Sequence, residues 1–210
     1  MSNISEVNHP LIRHHLSRLR DERTSPLEFR QRVGRLSVLL AYEATQDLAV
    51  EPVEVKTPVA TMTGQQLCGR IGLVPILRAG LGMVDPILDL LPSAEVWHLG
   101  LYRDEKTAQP VRYYDKLPPA SPVDVALVVD PMLATGGSAT AALETLKNWG
   151  VTKLKLLSII AAPEGIATIE DAFPEVQVYV CKIDEKLNDQ KFIVPGLGDA
   201  GDRSFNTLTE

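Results

Sequence analysis

The sequence predicts an α/β fold in which a parallel β-sheet is covered by helices on both faces. Two observations carry that prediction. Five short apolar, β-rich runs follow one another along the chain: GLVPIL (72–77), EVWHLGL (95–101), VDVALVVD (123–130), LKLLSIIA (154–161) and VQVYVCKI (176–183). Helix-like segments at 80–91, 137–149 and 164–172 separate several of them. Strands alternating with helices of this length pair in parallel, and such sheets are buried on both faces.

Ahead of the first of these strands, Thr24-Ser25-Pro26 is a helix start signal. Leu27, Phe29, Val33, Leu36, Leu39, Leu40, Ala44 and Leu48 then recur at three-and-four spacing, which predicts an amphipathic helix from Pro26 to Leu48. Arginine is dense here (Arg13, Arg18, Arg20, Arg23, Arg30, Arg32, Arg35), interleaved with Asp21, Glu22 and Glu28. A solvated, salt-bridged surface is the default expectation, with an effector or subunit contact as the alternative. The polar stretch YRDEKTAQPVRYYDKLP (102–118) has no helical stripe and presents Tyr102, Arg103, Arg112, Tyr113 and Tyr114. It reads as a hairpin or arm able to act as a lid. With 210 residues, no internal repeat and no linker-like tract, a single domain over 1–210 is expected.

Composition narrows the function classes. The formal net charge of −6 and an aromatic content of 5% argue against a nucleic-acid binder. Cys68 and Cys181 lie far apart without a CxxC spacing and read as two reduced thiols. His9, His14, His15 and His98 form no spaced set with them, so no structural zinc site is expected. The opening MSNISEVNHPLIRHH lacks an apolar signal core and no run reaches the length of a membrane span. A soluble, cytoplasmic protein is the expectation.

In parallel sheets ligands bind at the carboxyl ends of the strands, so the residues just after each apolar run are the informative ones. The run at 123–130 ends in Asp130 and opens onto Pro131, Met132, Leu133, Ala134, Thr135, Gly136, Gly137 and Ser138 before a helix begins. Small residues let backbone N–H groups approach a ligand, and the helix points its positive end at the same spot: an anion site suited to phosphate. A tight turn with hydroxyl caps is the alternative reading of Thr-Gly-Gly-Ser alone. No lysine follows in a GxxxxGK[ST] arrangement, so this is not a Walker loop. A carboxylate beside a phosphate site would repel it, so Asp130 is expected to face hydroxyl groups or a metal, and a ribose diol suits it. Acid and phosphate loop together suggest a ribose 5-phosphate. In the tail, GLGDAG (196–201) satisfies G-x-G-x-x-G, but only nine residues follow Gly201, too few for a dinucleotide-binding unit.

VVDPMLATGGSA (128–139) resembles the 5-phosphoribosyl-1-diphosphate (PRPP) motif of type I phosphoribosyltransferases. Asp130-Pro131 stands where most of that superfamily has two adjacent acids, and it is the form found in uracil phosphoribosyltransferases. PILRAGLGMVDPIL (75–88), GLYRDEKTAQPVRYY (100–114), AAPEGI (161–166), DEKLN (184–188) and FIVPGLGDAGDR (192–203) are similar to the same family. The resemblance spans nearly the whole chain. It implies a type I phosphoribosyltransferase-like sheet with an arm and a C-terminal hood over the base. It also implies transfer of the phosphoribosyl group of PRPP to N1 of uracil, giving UMP and diphosphate.

By the same resemblance Arg78, Arg103, Asp199 and the residues from Asp130 to Ser138 bind PRPP, with Arg103 and Asp199 as the catalytic candidates. Ile193, Gly198, Asp199 and Ala200 would hold uracil, largely through main-chain hydrogen bonds. Lys106 and Arg112 are candidate helpers, and His98 reads as structural. Mg²⁺ is expected, held mainly by PRPP, with Asp199 a candidate for contact with PRPP or the metal's water shell. The resemblance further suggests a homodimer or larger homo-oligomer, and regulation by GTP as in some relatives. Two rival readings are an RNA-binding sensor on the same fold, which should show a basic face, and a transferase for a purine or orotate. An orotate site needs a cation for the carboxylate, and Arg203 is the only nearby candidate in the tail.

Overall fold

The computed structural model describes residues 3–103 and 110–207, and only the backbone at Tyr102, Arg103, Pro110 and Arg112. Lys106 lies outside the described residues, as do the side chains of Arg103 and Arg112.

Strand β1 (Ile4–Glu6) is followed by helices α1 (Pro10–Arg20) and α2 (Pro26–Ala44). Each helix begins on a proline behind a side-chain cap. His9 Nδ1 accepts from the Leu11 N–H at 3.1 Å, and Ser25 Oγ accepts from the Glu28 N–H at 3.3 Å. α2 stops at Ala44, short of the expected Leu48. Its last carbonyls are taken by side chains: Thr45 Oγ1 donates to Ala41 O at 2.7 Å and Lys155 Nζ to Ala44 O at 2.5 Å.

Next, β2 (Val50–Lys56) and β3 (Thr61–Leu67) form an antiparallel hairpin in a sheet of its own, exposed along most of its length. Strand β4 (Ile71–Leu77) leads into a 3₁₀ turn (Ala79–Met83) and α3 (Val84–Leu90), where one helix over 80–91 was expected. EVWHLGL is likewise divided, into β5 (Glu95–Val96) and β6 (Leu99–Arg103). Both pieces pair with β4 in one register (Leu73 with Val96, Ile76 with Leu99), and the ladder breaks near Pro75, which has no N–H to give. β7 (Pro110–Asp115) returns antiparallel along β6, so the polar stretch at 102–118 is built on a hairpin.

The remaining elements are β8 (Val125–Val129), β9 (Met132–Leu133), α4 (Gly137–Trp149), β10 (Lys153–Ala161), α5 (Pro163–Ala172) and β11 (Gln177–Ile183). The C-terminal segment adds a short antiparallel pair, β12 (Lys186–Leu187) and β13 (Ile193–Val194), and α6 (Ala200–Phe205).

The main sheet runs β1-β11-β10-β8-β4-β6-β7, with β5 and β9 pairing beside β4 and β10; every pairing is parallel except β6 with β7. Successive strand residues face opposite layers. Leu73, Leu127 and Leu157 pack against Leu16, Phe29, Leu40 and Ile87 of the α1, α2 and α3 layer. Val74, Val128 and Leu156 pack against Leu143, Leu146 and Ile169 of the α4 and α5 layer. Burial on both sides is the physical reason these strands read as unbroken apolar runs.

Lys155 and Ser158 of β10 are buried polar exceptions to that rule, and Lys155 is the charged one. Lys155 is fully buried, and its ammonium is satisfied by Ala44 O, by the Asp47 carboxylate and by the Tyr179 ring 5.6 Å away. Lys155→Met keeps the bulk and removes the donor. It is expected to cost about 1–3 kcal/mol in urea denaturation, the penalty of an unsatisfied buried carbonyl. A loss within about 0.5 kcal/mol, the scatter of neutral surface changes, would show that the end of α2 finds other partners.

Candidate active site

Parallel pairing brings the carboxyl ends of β4, β8, β10 and β11 to one edge of the sheet. Arg78 follows β4 there, Asp130 follows β8, and Asp184 follows β11. At the end of β8 the Asp130 N–H bonds Leu157 O at 3.2 Å, while Pro131 O accepts from both Ile159 and Ile160 N–H at 3.0 Å. Proline suits this step because its carbonyl takes two donors and it has no N–H to leave unpaired. Pairing with β10 resumes at Met132 and Leu133, and the chain then leaves the sheet through Ala134 and Thr135.

Gly136 is the N-cap residue of α4 and adopts φ +86°, a left-handed conformation natural to glycine. It supplies no side-chain cap, so the first N–H groups of this 13-residue helix carry no side-chain partner, and Thr135, Gly137 and Ser138 are partly exposed around them. Uncapped N–H groups at a helix start, with hydroxyls beside them, form an anion cradle. Helix α5 supports the loop from behind. A Cβ on Gly165 would lie 2.5 Å from Ala134 O and 2.7 Å from Leu133 O, so only glycine permits that approach. One residue earlier, the Glu164 carboxylate accepts from the Leu187 N–H of β12 at 3.0 Å. The first turn of α5 therefore touches both the cradle and the C-terminal segment.

That segment closes the edge. Asp199 caps α6 by accepting from the Asp202 N–H at 2.8 Å, and the Asp202 carboxylate pairs with the exposed Arg78 guanidinium at 3.3 Å. Ile193 and Ala200 bury their side chains in the same layer as Ala79, Met132 and Ala134, whereas Gly198 and Asp199 are exposed. Arg78, Asp130, the 131–138 loop and the 193–200 segment thus share one edge. Arg203 is not free to meet a ligand carboxylate: its guanidinium donates to Leu19 O, Asp21 O and Leu197 O and lies 4.5 Å from the Phe29 ring centre.

Asp130 is electrostatically unusual. Burial above all, opposed by the Met132 N–H and aided by the nearby Asp199 carboxylate, pushes its carboxyl up to about 7. Two carboxylates near one another at this edge, Asp130 partly buried and Asp199 exposed, suit hydroxyl donors or a cation.

Several residues at or behind this edge carry no mark in the sequence. Asp202 is legible afterwards, because Asp199 and Asp202 have capping-box spacing. Arg20, by contrast, pairs with Asp184 across 164 positions of sequence, with no local pattern to announce it.

Comparison with known proteins gives the family. Residues 6–207 match the family described as uracil phosphoribosyltransferase. A uracil phosphoribosyltransferase of Roseiflexus castenholzii is 56% identical over 207 residues, covering 99% of this chain and 100% of the relative. One of Clostridium beijerinckii is 57% identical over 208 residues with the same coverage. The solved structure of the AQ2163 protein from Aquifex aeolicus superposes with a TM-score of 0.93 at 39% identity, covering 99% of this chain and 100% of that one.

The raised carboxyl of Asp130 gives a stability signature. Its ordinary value is 3.8 and its folded value about 7. Between those values the unfolded chain releases a proton that the folded one keeps, so stability falls as pH rises through this window. Asp130→Asn removes the cost. In the absence of ligand it is expected to melt higher than the parent at pH 8, by at most about 4 kcal/mol of stability, with a smaller gain at pH 5. Equal gains at both pH values would place the origin elsewhere.

Proposed function

This chain belongs to the uracil phosphoribosyltransferase family, and we propose that the edge just described is where it transfers the phosphoribosyl group of PRPP to N1 of uracil. The observation that carries this reading is the uncapped start of α4, which shares one strand edge with Asp130 and Arg78. The N–H groups behind Gly136, with Thr135 and Ser138, take the 5-phosphate. Asp130 takes the ribose hydroxyls, which add to the Met132 N–H as donors to a carboxylate that burial disfavours. Arg78 leaves Asp202 for the diphosphate, and Arg103, at the end of β6, is the second cation on the leaving group.

The reaction breaks the bond between the anomeric carbon and the diphosphate oxygen while uracil N1 bonds that carbon and loses its proton. No protein nucleophile is required. Catalysis rests on holding the two substrates in line and on neutralising the departing charge. Mg²⁺ fits a site where two carboxylates, Asp130 and Asp199, lie close together and PRPP supplies further oxygens. Asp199 would reach its water shell, and the ion would supply charge neutralisation on the diphosphate.

For the base we assign Ile193 and Gly198-Asp199-Ala200, whose backbone offers both donors and acceptors to the uracil edge. Cytosine would set a donor against a donor and leave buried groups unpaired. Orotate would need a free cation, and Arg203 is engaged with main-chain carbonyls.

We read 1–210 as one working domain acting in the cytoplasm; among the described residues no helix is long and apolar enough to cross a membrane. A GTP effector, if one acts here, has the polar recess around Arg18, Arg23 and Arg32 as its place. Assembly into a homodimer or larger oligomer rests on β2 and β3. A lone two-stranded hairpin is marginal in water, and this one exposes Val50, Val55, Met62 and Leu67.

Diphosphate release from PRPP is expected with uracil, and not with cytosine, orotate, hypoxanthine or no base. Arg78→Ala should lower kcat/KM by about 10²-fold, the scale of one lost charge-stabilising donor; equal release with every base would sink the reading. In sedimentation the chain should run as a dimer or larger. A chain lacking 50–67 should run as a monomer, and an unchanged profile would remove the hairpin from the interface.

A further inference from the structure

Between β13 and α6 the chain runs through Pro195, Gly196, Leu197 and Gly198 without regular structure. Its backbone is held by side chains from three other segments, one of them 176 positions away in sequence. The Gly196 N–H donates to Asp184 Oδ2 at 3.1 Å. Arg20 Nη1 donates to Gly196 O at 2.7 Å, and Arg203 Nη1 donates to Leu197 O at 2.7 Å. Two consecutive carbonyls of the loop are thus each fixed by an arginine.

The arginines are themselves fixed. Arg20 grips Asp184 with both Nη atoms, at 2.8 and 2.6 Å, and the Asp184 side chain is only 2% exposed. Arg203 also binds Leu19 O at 2.8 Å and Asp21 O at 2.6 Å, so both guanidinium groups meet at the end of α1. Arg30 adds a bond to Ser204 O at 2.8 Å and ties α6 to α2. A planar guanidinium with several donors in a rigid fork suits this work, and lysine cannot reproduce it.

We propose that Arg20, Asp184 and Arg203 are positioning residues for uracil recognition. The peptide group is planar and trans, so fixing a carbonyl also fixes the N–H of the next residue. Holding Gly196 O aims the Leu197 N–H, and holding Leu197 O aims the Gly198 N–H. Gly198 belongs to the base site assigned above, and the inference rests on that assignment. None of the three side chains needs to touch a substrate. Part of the arginine-rich N-terminal segment therefore serves the base site from behind. The PRPP cradle is held by β10 and α5, and the hydrogen bonds of the three clamp side chains go to the end of α1 and the base loop instead.

The decisive measurement is a split between the two Michaelis constants. Arg20→Lys keeps a cation beside Asp184 but loses the fork. It is expected to raise KM for uracil about tenfold, the scale of one charge-assisted hydrogen bond, and to leave KM for PRPP within about twofold. Arg203→Lys should show the same split, and serves if the first variant does not fold. Leu154→Ala, in the core beneath the opposite end of β10, is the stability control and should lower the melting temperature with both constants unchanged. Parallel rises in both constants, no rise in either, or the same split in Leu154→Ala would overturn the inference. Failure of the unmodified protein to use uracil would instead overturn the assignment of function.

Discussion

A parallel sheet covered on both faces leaves few places for polar chemistry. Each residue within such a strand faces one of two apolar layers, and an unpaired polar group there carries a desolvation penalty. Charged groups are displaced to the strand ends, and because neighbouring strands run the same way, the ends coincide. Arg78, Asp130 and Asp184 occupy equivalent places at the ends of β4, β8 and β11. Lys155 shows the cost of an exception: it is tolerated inside β10 only because a helix end and an aspartate meet its ammonium.

The edge so formed is not relaxed. Burial and the nearby Asp199 carboxylate hinder the ionisation of Asp130, and Arg78 is held by one half-buried carboxylate. Such contacts are readily exchanged for those of a phosphorylated sugar and its counter-ion. The free protein keeps groups that are poorly satisfied alone and well satisfied with ligand, so part of the binding energy is relief of internal repulsion.

The pattern of apolar runs was enough for the central strands and for α4, though not for β1 or β9, and PILR, DPMLATGGS and GLGDAGDR carry Arg78, Asp130, Asp199 and Asp202. What escaped did so for identifiable reasons. The β2–β3 hairpin lacks the in-and-out alternation that marks a half-buried strand, because both of its faces are exposed. The break between β5 and β6 depends on Pro75, which lies in a different strand from the one it interrupts. The arginines of α1, α2 and the turn between them carry local charge patterns that fit a solvated surface, and Arg23 with Asp21 in that turn does behave that way. Arg20 and Arg30 do not, because their partners lie more than 160 residues away. Periodicity reports which face of an element is buried; it carries no information about which distant loop a long polar side chain will reach.

The contact made by the first turn of α5 has a consequence for how this protein can change. Gly165 lies against the carbonyls of the sugar-phosphate loop and Glu164 against the strand pair that leads to the base loop. The two recognition tasks therefore share one short stretch of helix. A lineage, or an engineer, wishing to refit the base pocket for a larger ring cannot move the C-terminal segment as a free module. Any shift there pulls on α5 and reaches the half of the enzyme that must stay unaltered. The fold has made one specificity evolvable only at the other's expense.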